Sequence, residues 1–434
     1  MTSHGIENQT KKATPNVSHD IIIVGGGLHG CLTALAILHL HPETRLIIIE
    51  AEPVLGGSHT WSFFPHHVPK DALPWVDPLI EKTWRSHRVA FPAFKRILSN
   101  AYSSITSDRL NQVTQRAFNR SPFSRLLCGA TAVVLKRHSV TLASGETLHA
   151  DLVLDARGQR DETSFPDAGV QKFFGIEATV QPLNKQLPDR QDRPHSAADT
   201  RGIFAKNSTT EETKIPCLMD ARVAQHDGYR FFYTLPLKPN RWLVEETFFS
   251  DGPVLDLQAS RDRIDEYLRK QGFRIVEVHR EEQGKLSMPW RKPPLPSLGP
   301  IELGLRGGWF HPATGYSTIQ GIQVARLFAS HAPSPPPPSE ILSLRRKMDG
   351  RSRFFLFLNW MLFRASHPSE RWRLMQRFYR FSEPLMDRYY ARRLAAQDPY
   401  LLLFWRPPDL DIFRIVPARW RDGILQHLEK TSRR

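Results

Sequence analysis

The chain predicts an α/β fold (α+β over its full length), and three observations carry that reading. An apolar strand runs into a glycine-spaced turn and then a helix at residues 20–40. Residues 216–249 alternate apolar and polar side chains, as a meander of strands does. The segment after residue 339 reads as helical, basic and aromatic.

The elements follow in order. Residues 1–18 are polar, lack the apolar core of a signal peptide and are read as a disordered tail on a cytoplasmic protein. Ile21–Val24 is a buried strand, Leu28–Leu40 a helix and Leu46–Glu50 a second strand, making a βαβ unit. Residues 61–124 are mixed and aromatic. Thr131–Leu135, Ser139–Leu142 and Thr147–His149 read as short antiparallel strands, and Asp151–Asp155 as a further buried one. Residues 185–215 are polar and loop-like. In the meander, Asp227-Gly228 and Lys238-Pro239-Asn240 mark turns. Helices are expected near 257–271 and from Ser317 to Ser330. Five prolines in 286–300 argue against regular structure there, and Pro333–Pro338 reads as a stiff linker.

At 434 residues there is room for two or three domains. No run reaches the roughly 18 apolar residues of a membrane span. The densest, Phe354–Phe363, would rise only about 15 Å as a helix. Cys31, Cys128 and Cys217 are far apart, so no disulfide framework and no metal site is expected. The formal charge is +15, and residues 340–434 hold 20 Lys and Arg against 10 Asp and Glu. These cations interleave with Trp, Phe and Leu. That pattern fits an anionic lipid surface, with Arg345, Arg346 and Arg353 as candidate contacts, better than nucleic acid, for which no motif is present.

Gly25-x-Gly27-x-x-Gly30 sits between the first strand and its helix, with Glu50 at the end of the second strand. Together they form a Rossmann-like dinucleotide fingerprint. The glycines allow the tight turn, the approach of a pyrophosphate and close helix packing. Leu28 and His29 open the helix whose N-terminus attracts phosphate, and Glu50 can accept from ribose hydroxyls. Ala150–Gly158, with Asp155 and Gly158, resembles a sheet segment of FAD domains of the glutathione-reductase and flavoprotein-monooxygenase type. Thr314, Gly315 and Tyr316 resemble the late segment that lays a helix N-terminus on the flavin. No second fingerprint exists for NAD(P), so the expected resident cofactor is FAD. The FAD-binding domain is assigned to 19–60, 125–165 and 285–332. A β-sheet substrate domain takes 61–124 and 166–284. The linker is 333–338, and the basic helical segment is 339–434.

Asp220, Glu245 and Glu246 lie in predicted strands rich in aromatic residues. Neighbouring strand residues face opposite ways, so one of Glu245 and Glu246 faces a substrate and the other supports it or is solvated. A carboxyl buried among apolar groups is raised in pKa, which suits a general acid. Ring faces can stabilise a carbocation.

Several longer motifs resemble those of the bacterial lycopene cyclases over about Asp20 to Asp398. Gly56-Gly57-Ser58-His59-Thr60-Trp61 is similar to the family's Gly-Gly-Asn-His-Thr-Trp, with Ser58 departing. Met219-Asp220-Ala221, Asp227–Tyr233, Leu243-Val244-Glu245-Glu246-Thr247, Met288-Pro289-Trp290, Phe310–Ser317, Asn359–Phe363 and Glu370-Arg371-Trp372 resemble family segments too. The resemblance implies β-cyclisation of the linear ψ-ends of lycopene and related carotenoids. The expected product is β-carotene, formed by way of γ-carotene. It implies Glu245 as the acid, with Glu246 and Asp220 as supports, and reduced FAD with NAD(P)H as electron source. A peripheral place on the membrane beside other carotenoid enzymes is expected with it. The proton donor, Glu245 or the flavin, stays open. So do three rivals: an FAD hydroxylase or saturase of an isoprenoid, an ε-ring-forming cyclase, and a non-enzymatic flavin electron carrier.

Overall fold

The computed structural model describes residues 19–158, 168–183, 212–291, 299–350 and 352–404. The expected tail 1–18, most of the polar stretch 185–215 and residues 405–434 of the basic segment lie outside the described residues.

Strands β1 (His19–Val24) and β2 (Leu46–Glu50) are Ile, Leu and Val runs buried on both faces, as parallel strands under helices are. Helix α1 (Leu28–Leu40) connects them and is buried from Leu28 to Leu38. The chain then builds α2 (Leu73–Val76) among β3 (Thr60–Phe63), β4 (Lys82–Trp84), β5 (His87–Phe91), β6 (Phe94–Leu98) and β7 (Tyr102–Thr106). Thr106 caps α3 (Ser107–Arg120), its side chain accepting from the Arg109 N–H. Strands β8 (Arg125–Cys128), β9 (Ala132–Lys136), β10 (Ser139–Leu142) and β11 (Thr147–Asp155) join the first sheet, ordered β8-β2-β1-β11-β10-β9, and Ile301–Glu302 pairs with β11 as its seventh strand. The two strands expected at 147–149 and 151–155 are one. No turn residue separates them, so β11 leaves an antiparallel pairing at Ser139↔His149 and enters a parallel one with β1 from His19↔Ala150.

The second sheet runs β16-β12-β15-β14-β13-β5-β6. Its long members are β12 (Ala168–Pro182), β14 (Tyr229–Lys238), β15 (Arg241–Ser250) and β16 (Phe273–Pro289), with the short β13 (Cys217–Asp220) beside β14. Asp227 and Gly228 turn the chain at positive φ, as the sequence expects. The proline-rich stretch differs from expectation at its start, because residues 286–289 continue β16. That strand is at the sheet edge, where the missing N–H of Pro289 breaks no inner ladder.

The two faces of this sheet have different partners. One receives α4 (Leu257–Lys270), whose Ile264, Tyr267 and Leu268 pack on Phe174, Ile176, Trp242 and Val244. The other is covered by the end of the chain. Helix α5 (Thr318–Ala329) lies on α1, and α6 (Pro338–Asp349) begins at the last proline of the expected linker, with Ile341 and Leu344 packed on the same core. Then α7 (Ser352–Trp360), a π turn (Met361–Ala365), α8 (Arg371–Phe378), α9 (Glu383–Tyr390) and α10 (Asp398–Phe404) set Phe355, Phe363, Tyr379, Phe381 and Leu402 against Tyr229, Phe231, Leu243 and Phe249. The fully buried Arg371 closes this join. It donates to the carbonyls of Leu362 (2.9 Å), Phe363 (3.0 Å) and Phe249 (3.1 Å), so the π turn is satisfied without water.

Candidate active site

A cavity of about 820 Å³ lies between the two sheets and the C-terminal helices. At one end it meets the turn between β1 and α1. Gly25 holds φ +107°, and a Cβ there would stand 2.5 Å from the carbonyl oxygen of Ala156. A Cβ on Gly30 would stand 2.1 Å from the carbonyl oxygen of Gly25, so this glycine lets helix and turn touch. Gly27 differs: among the described residues nothing lies within 4 Å of the place its Cβ would take, and no side chain caps α1. The space in front of the helix N-terminus is therefore free for a phosphate. The Glu50 carboxylate accepts from the N–H groups of Gly26 (2.6 Å) and Glu52 (2.9 Å), which fixes it at the end of β2 facing the cavity.

Gly25, Gly27, Leu28, His29, Glu50, Gly158, Thr314, Gly315 and Tyr316 all line the cavity. Gly30 and Asp155 stand behind the wall; Asp155 grips the wall residue Arg157 through two bonds of 2.9 and 2.8 Å. His29 donates from Nε2 to the Ser317 carbonyl (3.1 Å), tying the start of α1 to the start of α5, and burial pushes its pKa down to about 4. The ring is neutral, so it bridges two helix ends without adding charge.

The central wall is the face of the second sheet that carries Gln171, Phe173, Phe231, Tyr233, Glu245, Thr247 and Phe249. Alternation on β15 puts Glu245 here and Glu246 on the opposite face. Glu246 is fully buried between Arg230 (2.6 Å) and Arg263 (2.6 and 2.8 Å). Asp220 is also on the far face, held by Arg222 (2.8 and 2.6 Å) and by the Tyr267 hydroxyl (3.0 Å). Of the three sequence-selected acids, the structure brings Glu245 alone to the cavity. The other two are anchored carboxylates that join the sheet to α4.

Glu245 lies deep in the protein, yet its carboxyl borders the cavity. Burial, and then the nearby Glu282, push its pKa up to about 8, partly opposed by the hydrogen bond from Thr247 Oγ1. The acid is therefore largely protonated at neutral pH. Beside it runs a chain of hydroxyls. The Tyr233 hydroxyl lies 2.8 Å from Ser62 Oγ and 3.1 Å from the Tyr102 hydroxyl, donating to one and accepting from the other, and Tyr102 and Tyr316 share a bond of 2.8 Å. Burial holds all three phenols above their usual pKa, so none carries charge. Beyond them the cavity becomes hydrocarbon, lined by Leu358, Leu362, Leu374, Met375, Phe378 and Leu402.

Two functional features were not read from the sequence. Glu282 and the hydroxyl chain come from strands and loops far apart in the chain. The signal for the tyrosines was present at Tyr233 and Tyr316, inside segments already singled out, but their convergence on Tyr102 is a matter of tertiary structure.

The family described as Lycopene cyclase protein matches residues 20–189 and 185–414. The chain belongs to this family. The lycopene beta-cyclase of Pantoea ananas is 34% identical over 400 residues, covering 90% of this chain and 95% of its own. That of a Paracoccus species is 33% identical over 405 residues, covering 90% and 95%. A geranylgeranyl bacteriochlorophyll reductase-like protein of Thermoplasma acidophilum superposes with a TM-score of 0.56 at 12% identity, over 90% of this chain and 97% of its own, which shows a shared fold. The cyclase family match covers both the glycine turn and the sheet that carries Glu245.

Proposed function

We propose that the chain is a lycopene beta-cyclase that closes the ψ-ends of lycopene into β-rings without net redox change. The observation that carries this reading is Glu245, a carboxyl whose pKa burial raises, set between the glycine turn and a hydrocarbon-lined cavity end. Family membership supports the substrate class.

In this reading Glu245 gives its proton to C2 of the ψ-end. C6 then bonds to C1, and the cation moves to C5. Loss of the C6 proton leaves the β-ring, so one proton enters and one leaves. Phe173, Phe231 and Phe249 present apolar walls and ring faces to the cation and exclude water that would trap it. The open space at Gly27 and the N-terminus of α1 would take the pyrophosphate of FAD, Glu50 its ribose, and Thr314–Tyr316 its ring system. When bound in reduced form, with NAD(P)H as electron source, FAD would supply negative charge that lowers the energy of the cation.

We also propose a peripheral seat on the membrane. No helix among the described residues is long and apolar enough to cross one. Helix α10 carries the exposed Tyr400 and Phe404 beside Leu402 and Leu403, which line the hydrocarbon end of the cavity. Such an edge would let a lipid-dissolved polyene enter. Of the three expected lipid-facing arginines, Arg345 is turned inward. It packs on Trp309 (4.3 Å) and donates to the Gly307 carbonyl (2.8 Å), whereas Arg346 and Arg353 are exposed.

The experiment is anaerobic. Lycopene in anionic vesicles, with pre-reduced FAD, gives a product of unchanged mass and a shortened chromophore, with no flavin oxidised. Flavin oxidation matched to turnover would replace this reading with a saturase, and turnover that appears only when oxygen is admitted would replace it with a hydroxylase. Under the same conditions Arg346→Glu/Arg353→Glu lowers turnover on vesicles but not on detergent-dispersed lycopene; equal turnover on both would remove the membrane seat.

A further inference from the structure

We propose that Glu282 is a positioning residue for Glu245, acting on its carboxyl across the gap that Gly175 leaves in the sheet. The inference rests on the reading of Glu245 as the acid and explains how that acid keeps its proton.

Gly175 on β12 is paired with Glu245 on one side and with Glu282 on the other. Directly opposed residues share a face, so the three form one row across β15, β12 and β16. Strands are about 4.8 Å apart, so two acids with one strand between them are usually screened by the middle side chain. Here there is none. A Cβ on Gly175 would lie 3.1 Å from Glu282 Cγ and 3.4 Å from Glu245 Cβ, so the Glu282 side chain leans in over the glycine and the base of Glu245 borders the same gap.

Glu282 is itself buried and held. Thr60 donates to it at 3.0 Å and Arg280 at 2.8 Å. Arg280 is shared with a second carboxylate, Glu177 (3.0 and 3.1 Å), which also takes Arg241. Burial pushes the Glu282 pKa up to about 7, and Arg280 and Thr60 oppose that rise, whereas among the described residues no cation acts on Glu245. Around Glu245 stand Thr247 on its own strand, Tyr233 from β14, and Tyr102 and Tyr316 from the wall above; the phenols are neutral. Glu282 is the charge that acts on Glu245. Because Thr60 and Arg280 donate to Glu282, a single proton on the pair belongs on Glu245, the member facing the cavity. Thr60 lies in the segment that reaches the dinucleotide end, so the same bond ties the acid to that side of the site.

The test is the pH dependence of kcat for Glu282→Gln, which keeps volume and hydrogen-bonding capacity but removes the charge. A like charge raises an acid's pKa, so its loss lowers that of Glu245. The alkaline limb of kcat should move to lower pH by about one unit, with turnover on the acid side retained. Glu282→Asp keeps the charge and should restore most of the limb. A uniform loss at every pH, or an unmoved limb, would overturn the proposal. Glu245→Gln measured in parallel separates the two ideas. If it retains turnover, the acid assignment fails; if it is inactive while the Glu282→Gln limb stays in place, only this inference fails.

Discussion

Glu245→Gln is expected to lower kcat about 1000-fold while leaving the fold intact, the loss typical of removing a general acid. Glutamine matches the shape and neutrality of a protonated glutamic acid. Thr247 can still donate to its amide oxygen, and Glu282 faces no new charge. Melting temperature and flavin content should therefore stay near the parent's. The paired variants Glu246→Gln and Asp220→Asn should behave in the opposite way. Each removes the charge of a fully buried carboxylate from its ion pairs, with Arg230 and Arg263 in one case and Arg222 in the other, so stability falls by about 3 kcal/mol. Loss of activity in those variants should track loss of folded protein. A Glu245→Gln enzyme with near-parental kcat would end the acid assignment.

The second large effect concerns the cradle. Gly27→Val puts a branched side chain into space that the protein leaves open, so the apo fold tolerates it. The same space is where a pyrophosphate would approach the N-terminus of α1. The expected result is FAD binding weakened at least ~100-fold, about 3 kcal/mol, with unchanged circular dichroism and melting in the absence of flavin. Flavin titration by fluorescence quenching measures it. Parental affinity in Gly27→Val would mean that the dinucleotide lies elsewhere.

Different parts of this molecule were legible in the sequence to different degrees, for physical reasons. β1, α1 and β2 were readable because doubly covered parallel strands must be continuous apolar runs, and because the glycine spacing is demanded by backbone contacts such as Gly30 against Gly25. The meander was readable because a two-faced sheet imposes alternation. β16 was hidden by its composition. An edge strand that carries Arg280, Glu281, Glu282 and Lys285 does not look like a strand, and Pro289 at its end, with the prolines that follow, argues against one. Alternation alone separated Glu245 from Glu246 but could not say which faces the cavity. Asp220 shows the limit most clearly. An aspartate among aromatics reads as catalytic, yet β13 turns it toward Tyr267 and Arg222 on the α4 side. Glu282 could not be found at all without the register of three strands, because its role depends on a side chain that Gly175 lacks.

The account's central claim is that an exchangeable proton on Glu245 starts the reaction and a different proton, from C6, ends it. The most direct measurement is the mass of the product formed in D2O from unlabelled lycopene, under anaerobic conditions with reduced FAD. One deuterium for each ring closed is the predicted result, because the Glu245 carboxyl exchanges with solvent before each turnover. Rings formed without deuterium would mean that the proton moves within the polyene, and the role of Glu245 would have to be abandoned.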